Sequence, residues 1–388
     1  MTKEEAQRPP KPINRYPGYS PRFWHGMRMF QWWRLLANNG FRVTPSRLYI
    51  AIGVSIFCPF NDVLAALQAL IFGKRIAAAK VAEDPVFILG HWRSGTTLLH
   101  ELMVVDPRFA SPSTYQCFAA SHFLISEWAF VRFGNFLIPN KRPMDEMEAG
   151  WMLPQEDEFA LMNLGAPTPY LRIAFPHSPP PAVEFLDMKS VDPQALQTWR
   201  DKLSWFIRAL TVRHPHKRLI MKSPPHTGRV EELLRLYPKA KFIHLTRDPR
   251  KLFYSTLRLW NSLDEVQGLQ RPLPEKDLRE YVWNCFTRMY EAFEAQRGLV
   301  PPGQLIEMRY EDLVAAPFDS IKRIYEQLDL GDFEAVKDPL NKRLANHKSY
   351  RTNSHPIDPD TEKEILQRWH AYAEKYGYLN EPSGVVAN

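Results

Sequence analysis

The stretch Val86-Phe87-Ile88-Leu89-Gly90-His91-Trp92-Arg93-Ser94-Gly95-Thr96-Thr97 decides the fold. Its first four residues are apolar and lie between a proline and a glycine, which predicts a short buried strand. The glycine-containing turn leads into residues 97–105, whose apolar spacing predicts a helix. A strand, such a turn and a helix, in this order, form a context in which backbone N–H groups bind phosphate.

The same alternation of strand and helix recurs along the chain. Residues 219–221, 241–246 and 305–308 are short apolar runs that predict strands, and helical patterns follow each of them, among them residues 249–260 and the segment after Pro317. Strands that alternate with helices predict a mainly parallel sheet with helices on both faces. The predicted fold class is therefore α/β, with a P-loop-like sheet and an additional N-terminal helical apolar segment.

The loop after the first strand departs from the ATP-binding pattern at one position. Its glycines have the spacing of G-x-x-x-x-G-K-[ST], but Thr96 stands where that pattern has lysine. In P-loop proteins this lysine reaches the β- and γ-phosphates, so its replacement argues against ATP or GTP hydrolysis and for a donor that has no γ-phosphate. Arg93 supplies positive charge instead.

The loop resembles the 5′-phosphosulfate loop of sulfotransferases that use 3′-phosphoadenosine 5′-phosphosulfate (PAPS). The segment Arg247-Asp248-Pro249-Arg250-Lys251-Leu252-Phe253-Tyr254-Ser255 is similar to the 3′-phosphate motif of that family, and Tyr310-Glu311-Asp312-Leu313 with Pro317 is similar to a later segment. An arginine at the loop position where cytosolic members have lysine is more like the tyrosylprotein sulfotransferases and the bacterial branch. The resemblance implies PAPS as sulfuryl donor, bound by Arg93, Ser94, Gly95, Thr96, Thr97, Arg247 and Ser255.

Sulfuryl transfer by in-line displacement needs a base on the acceptor hydroxyl and positive groups near the sulfuryl oxygens. By the resemblance, Lys222 at the end of a strand stabilises the transition state, and Arg93 serves the leaving phosphate. Cytosolic members have a histidine two residues after this lysine, but Pro224 stands there and His226 lies two residues further on. The base is therefore predicted among three adjacent carboxylates, in the order Glu156, Glu158, Asp157. Acidic residues also favour the first turn of a helix for its dipole alone.

Composition limits the remaining function classes. The chain has 388 residues, a formal net charge of +7 and three widely separated cysteines. Three features favour a cytoplasmic protein: the few separated cysteines, the lack of a glycosylation sequon and the lack of a cleavable signal pattern. Association of this protein with a membrane stays open. Cysteine and histidine spacing matches no metal site, and the basic residues near 208–218 match no nucleic-acid motif, so we expect neither metal nor nucleic acid.

Three regions are predicted along the chain: a disordered tail over residues 1–21, a helical segment over 22–80 and the sulfotransferase domain over 81–380. Residues 48–72 are apolar but carry Pro59 and polar side chains, so they fit a helical pair on the globular body, a peripheral membrane contact or, less well, a membrane span.

The acceptor and the overall activity stay open at the sequence level. A small molecule, a lipid, a sugar or a peptide with a hydroxyl group could enter through residues 109–218. The alternatives to a sulfotransferase are a P-loop kinase-like phosphotransferase and a non-catalytic membrane-associated protein that binds nucleotide.

Overall fold

The structure is a computed structural model that describes residues 14, 16–139, 141–142, 147–347 and 358–380. Of the predicted tail, residues 1–13 and 15 therefore lie outside the described residues. Residues 16–22 are joined by local hydrogen bonds: the Tyr16 hydroxyl donates to the carbonyl of Pro21, and Arg22 donates to the carbonyls of Pro17 and Ser20.

Five parallel strands form one sheet in the order β2-β3-β1-β4-β5. The strands are β1 (Val86–Leu89), β2 (Phe109–Ala110), β3 (Arg218–Lys222), β4 (Lys241–Thr246) and β5 (Leu305–Arg309). The predicted α/β class is confirmed. The two-residue strand β2 was not predicted, because a pair of residues carries no periodicity; it is defined by its pairing with β3 at Phe109–Arg218 and Ala110–Leu219.

The helices cover both faces of this sheet. They are α1 (Met29–Asn38), α2 (Leu48–Ala78), α3 (Thr96–Met103), α4 (Thr114–Phe118), α5 (Phe123–Phe133), α6 (Asp157–Asn163), α7 (Pro193–Arg213), α8 (Val230–Leu236), α9 (Pro249–Gln267), α10 (Glu275–Gln296), α11 (Tyr310–Ala315), α12 (Pro317–Leu328), α13 (Glu334–His347), α14 (Pro359–Arg368) and α15 (His370–Lys375). Side chains alternate along β1, so that Phe87 and Leu89 enter one apolar core and Val86 and Ile88 enter the other. Burial on both faces explains why β1 is a continuous apolar run, whereas β5 at the edge of the sheet alternates between buried and partly exposed residues.

Helix α2 is one uninterrupted helix of 31 residues, with Pro59 inside it. A proline in a helix interior removes one backbone hydrogen bond, and tertiary packing offsets that loss here. One face of α2 packs on α1, α5 and α7 of the same chain. Asn61 on that face donates to the carbonyls of His25 and Met27, and Gln68 donates to the carbonyl of Ser121.

Candidate active site

The loop after β1 has an unusual backbone with positive φ angles. Gly90 and Gly95 have φ values of +140° and +94°, and a Cβ on Gly95 would lie 2.1 Å from the ring of Tyr310. Arg93 also has a positive φ of 72°, in the left-handed region that non-glycine residues seldom adopt. The Thr227 hydroxyl accepts a 2.8 Å hydrogen bond from the Gly90 amide, which ties the start of the loop to the segment after β3. The loop thus keeps a compact turn at the N-terminus of α3.

The loop and the second predicted motif meet in space. The Nε of Arg93 donates to the hydroxyl of Ser255 on α9 at 2.9 Å, and the Nη1 of Arg247 donates to the backbone carbonyl of Arg93 at 2.7 Å. Arg247 follows directly after β4, and its guanidinium lies 4.5 Å above the ring of Tyr310. Two motifs more than 150 residues apart therefore form one cationic wall.

A third arginine, which sequence reasoning missed, stands beside this wall. Arg258 lies one turn after Ser255 on α9. Burial, and then the positive charge of Arg93, lower the pKa of the Arg258 guanidinium. Its spacing of three from Ser255 on the predicted helix was the available signal.

A cleft that is partly open to solvent runs past these residues. Seven of the predicted site residues line it: Arg93, Gly95, Thr96, Thr97, Glu156, Arg247 and Ser255. Ser94 is buried beneath the loop, and its hydroxyl donates to the carbonyl of His91 at 2.8 Å. Lys222, Asp157 and Glu158 are buried behind the cleft surface.

Glu156 is the member of the acidic cluster that faces the cleft. Its Oε1 accepts a 2.8 Å hydrogen bond from the Nζ of Lys222, and its Oε2 accepts one from the hydroxyl of Tyr170. The same Tyr170 oxygen accepts a 2.8 Å hydrogen bond from the indole Nε1 of Trp92 in the loop. The carboxylate is therefore held between the end of β3 and the phosphate-type loop.

The two partners of Glu156 have pKa values shifted by burial. Burial lowers the pKa of Lys222, and the nearby Glu156 carboxylate offsets part of that shift. Burial, and then the charge of Glu156, raise the pKa of Tyr170 well above its ordinary value, so its hydroxyl is a neutral donor. Sequence reasoning missed Tyr170, because a tyrosine within the irregular residues 109–218 carries no motif.

Asp157 lies fully buried and is used inside the fold. Its Oδ2 is 2.7 Å from the Nε2 of His226, and its Oδ1 accepts a 3.1 Å hydrogen bond from the hydroxyl of Ser223. Burial alone would raise the pKa of this carboxyl, but the charge and hydrogen bond of His226, with that of Ser223, hold it below its ordinary value. Both Asp157 and His226 are 0% exposed.

Glu158 is likewise used as a buried anchor. Its carboxylate accepts two hydrogen bonds from Arg229, at 2.7 and 2.9 Å, and a third from the Thr168 hydroxyl. Its backbone amide donates to the Ser223 hydroxyl at 2.9 Å, directly after β3. Asp157 and Glu158 thus fix the start of α6 against the end of β3, which is what brings Glu156 to Lys222.

The cleft continues from Glu156 as an aromatic and aliphatic wall. The ring of Phe159 lies 4.9 Å from that of Tyr170 and 4.1 Å from that of Phe23. Further apolar lining comes from Phe118, Leu137, Ile138 and Trp151. Within the described part of the chain, no group of three or more His, Cys, Asp or Glu side chains is arranged to hold a metal ion.

Comparison with known proteins matches this architecture. The sequence profile described as "Sulfotransferase family" matches residues 85–334. The chain is 38% identical over 374 residues, 96% of each chain, to a Mycobacterium tuberculosis protein named omega-hydroxy-beta-dihydromenaquinone-9 sulfotransferase Stf3. Among solved structures, sulfotransferase STF9 from Mycobacterium avium superposes with a TM-score of 0.62 at 19% identity over 86% of each chain. STF1 from M. tuberculosis superposes with a TM-score of 0.59 at 15% identity over 91% of this chain and 94% of that chain.

The profile match spans β1 to β5, and therefore includes the loop, Lys222, Arg247 and Ser255. The relative at 38% identity extends the likeness to nearly the whole chain. The chain therefore belongs to the sulfotransferase family, whose members are enzymes that transfer a sulfuryl group.

Proposed function

We propose that this enzyme transfers the sulfuryl group of PAPS to a hydroxyl group by in-line displacement. The observation that carries the proposal is that the phosphate-type loop, the Arg247 and Ser255 pair and Glu156 all line one cleft. Membership of the sulfotransferase family favours this activity over the kinase-like and non-catalytic alternatives.

The loop and its neighbours fit a donor that carries phosphates at two positions. Gly95, Thr96 and Thr97 line the cleft at the N-terminus of α3, and Gly95 has no side chain that would cover the backbone amides there. Arg247 offers a planar guanidinium suited to bidentate binding of a phosphate, and Ser255 adds a hydroxyl. We assign the 3′-phosphate to Arg247 and Ser255, and the 5′-phosphosulfate to the loop and Arg93. When bound, PAPS supplies the activated sulfuryl group and the leaving phosphate.

Glu156 takes the proton from the acceptor hydroxyl in this scheme. It is the only one of the three clustered carboxylates that lines the cleft, and Lys222 and Tyr170 fix both of its oxygens. Lys222 and Arg93 supply positive charge where negative charge develops during the transfer. Asp157 and Glu158 hold the start of α6, which Glu156 directly precedes.

The acceptor that the cleft fits best is a hydroxyl group on an apolar molecule. The wall next to Glu156 consists of Phe159, Phe23 and further apolar side chains, whose burial against an apolar acceptor is favourable. The relative at 38% identity is named for a hydroxylated menaquinone, a lipid. We therefore place lipids ahead of sugars and peptides. A cytoplasmic location remains a prediction from the sequence.

Transfer of label from PAPS tests this proposal. The purified enzyme is incubated with PAPS carrying radioactive sulfur and a lipid extract of bacterial membranes, and the product is extracted into organic solvent. We expect label to appear in a lipid only when the native enzyme is present. We expect no transfer from ATP labelled on its γ-phosphate. Transfer from ATP, or sulfur found only in water-soluble products, would contradict the assigned donor or acceptor respectively.

A further inference from the structure

Helix α2 exposes one continuous apolar face to solvent. Six residues at helical spacing, each between 43% and 82% exposed, form what we call the apolar stripe: Ile52, Ile56, Phe60, Val63, Leu67 and Leu70. Their separations of three or four residues place them on one side of the helix. A contiguous exposed apolar surface of this length marks an interaction site, since monomeric soluble proteins rarely show one.

Exposed apolar residues concentrate in this part of the chain. Fifteen of the twenty-one large apolar side chains that are exposed among the described residues lie between residues 19 and 71. They include Phe30 and Trp33 on α1, which packs against α2. Aromatic residues beside aliphatic ones suit the boundary between lipid headgroups and acyl chains.

Positively charged residues flank the stripe in the sequence. Residues 22–80 contain eight Lys and Arg residues against one carboxylate, Asp62, a surplus that equals the whole formal net charge of +7 of the chain. Arg34 and Arg42 are exposed before the stripe, and Lys74, Arg75 and Lys80 are exposed after it. An anionic surface complements this distribution, and an uncharged protein partner does not account for it.

The residues on the opposite face of α2 indicate whether the helix spans a membrane or lies in its plane. Although the segment Pro45–Ala78 is long and apolar enough to span, only the stripe side is open. Asn61 and Gln68 on the other side are buried and bonded to backbone groups of the globular body. Insertion as a span would remove these polar groups from their partners into hydrocarbon, which is unfavourable because hydrocarbon offers no replacement hydrogen bonds. The helix therefore fits a membrane in plane.

The acceptor cleft lies beside the same surface. Phe23, which lines the cleft, belongs to the short helix Phe23–Gly26 that packs against α2. On the adjacent segment after α5, Phe136 is 71% exposed while its neighbours Leu137 and Ile138 line the cleft. The apolar lining of the cleft is therefore built partly from segments that pack on α2 or follow α5.

We propose that the apolar stripe of α2 docks flat on an anionic lipid bilayer, with the flanking Lys and Arg residues at the headgroups. The docking does not depend on the proposed transfer reaction. Delivery of an acceptor from the bilayer to the cleft would follow from this docking, but it rests on the proposed function, since it requires a lipid acceptor.

Binding to lipid vesicles tests the docking surface. The variant with Ile56→Asp and Val63→Asp is compared with a matched control, Leu299→Asp with Val314→Asp, which changes two exposed apolar residues elsewhere. Vesicles of phosphatidylcholine with phosphatidylglycerol are sedimented with each protein. We expect the stripe variant to partition at least about a hundredfold more weakly than the native chain, with the control unchanged. Equal binding of all three proteins would overturn the proposal.

Three further readouts check folding and distinguish in-plane docking from a dimer interface and from a membrane span. Affinity for adenosine 3′,5′-bisphosphate, measured by calorimetry, is expected to be equal in all three proteins, which shows that the variants fold and keeps the test independent of turnover. If the native chain does not bind vesicles but sediments as a dimer, and the stripe variant sediments as a monomer, the stripe would instead be the interface with a second copy. Native protein that resists extraction from membranes by alkaline carbonate would indicate a span and would equally overturn in-plane docking.

Discussion

Replacing Glu156 by glutamine separates catalysis from folding within the acidic cluster. The amide keeps the length of the side chain and one hydrogen-bond acceptor for Lys222, which donates from 2.8 Å, but it cannot accept a proton from the acceptor. General base catalysis contributes about 10²- to 10⁴-fold, so kcat should fall by that factor, equivalent to about 2.7 to 5.4 kcal/mol. Affinity for adenosine 3′,5′-bisphosphate should not change.

Glu158→Gln is the matched control, because it makes the same chemical change two residues away. Glu158 and Arg229 are both 0% exposed and form a bidentate pair, so removing the carboxylate leaves a buried guanidinium uncompensated. Breaking such a pair costs about 3 to 5 kcal/mol of unfolding free energy. We expect Glu158→Gln to lose stability, whereas Glu156→Gln loses less, since Glu156 is 17% exposed and keeps an acceptor for Lys222.

Three measurements on each variant decide the matter: initial rates of sulfur transfer from labelled PAPS to extracted lipid, calorimetric affinity for the bisphosphate, and urea unfolding. The reasoning is refuted if Glu156→Gln retains a rate within about threefold of the native enzyme at saturating substrate. It is equally refuted if folded Glu158→Gln loses as much kcat as Glu156→Gln without loss of stability, since Glu158 would then be the base.

Three other outcomes follow from the contacts and burial of single residues. Tyr170→Phe removes the neutral donor to Glu156 and should lower kcat about tenfold while leaving bisphosphate affinity intact; equal loss of both would contradict a positioning role. Gly95→Ala places a Cβ against an aromatic ring at φ +94° and should weaken bisphosphate binding at least about tenfold, whereas Gly298→Ala, in open space, should not. Burial lowers the pKa of His100 to about 3, so the unfolded state binds a proton that the folded state does not, and stability is lost as the pH falls below about 6.5. Urea unfolding of His100→Leu should therefore show a loss between pH 7 and 5 that is about 2 kcal/mol smaller than in the native chain, and an unchanged loss would place the acid sensitivity elsewhere.

The fold was accessible from the sequence because its strands are buried on both faces. The apolar run between Pro85 and Gly90 located Val86–Leu89, and the mainly apolar residues Lys241–Thr246 were likewise predicted at their observed bounds. Helix α2 was harder to define, since Pro59 and the polar Asn61 and Gln68 suggest interruptions. These polar residues instead bind backbone groups of neighbouring segments, a tertiary effect that no local pattern contains.

The candidate site was accessible only where chemistry and local backbone coincide. The loop and the Arg247 and Ser255 motif carry their own spacing, and the structure brings them together. The sequence located the acidic cluster but could not assign a separate role to each carboxylate, because helical spacing does not show which one faces the cleft. That division follows from long-range partners, Arg229 for Glu158 and His226 for Asp157.

The central claim is that Arg247 recognises the 3′-phosphate of a nucleotide whose 5′ end lies in the glycine-containing loop. The most direct test is the ratio of affinities for adenosine 3′,5′-bisphosphate and adenosine 5′-phosphate, measured by calorimetry in the native enzyme, in Arg247→Ala and in the surface control Arg235→Ala. We predict that the native enzyme and the control prefer the bisphosphate, and that Arg247→Ala loses about 10- to 150-fold of that preference with little change for the monophosphate. An unchanged ratio in Arg247→Ala would contradict the account.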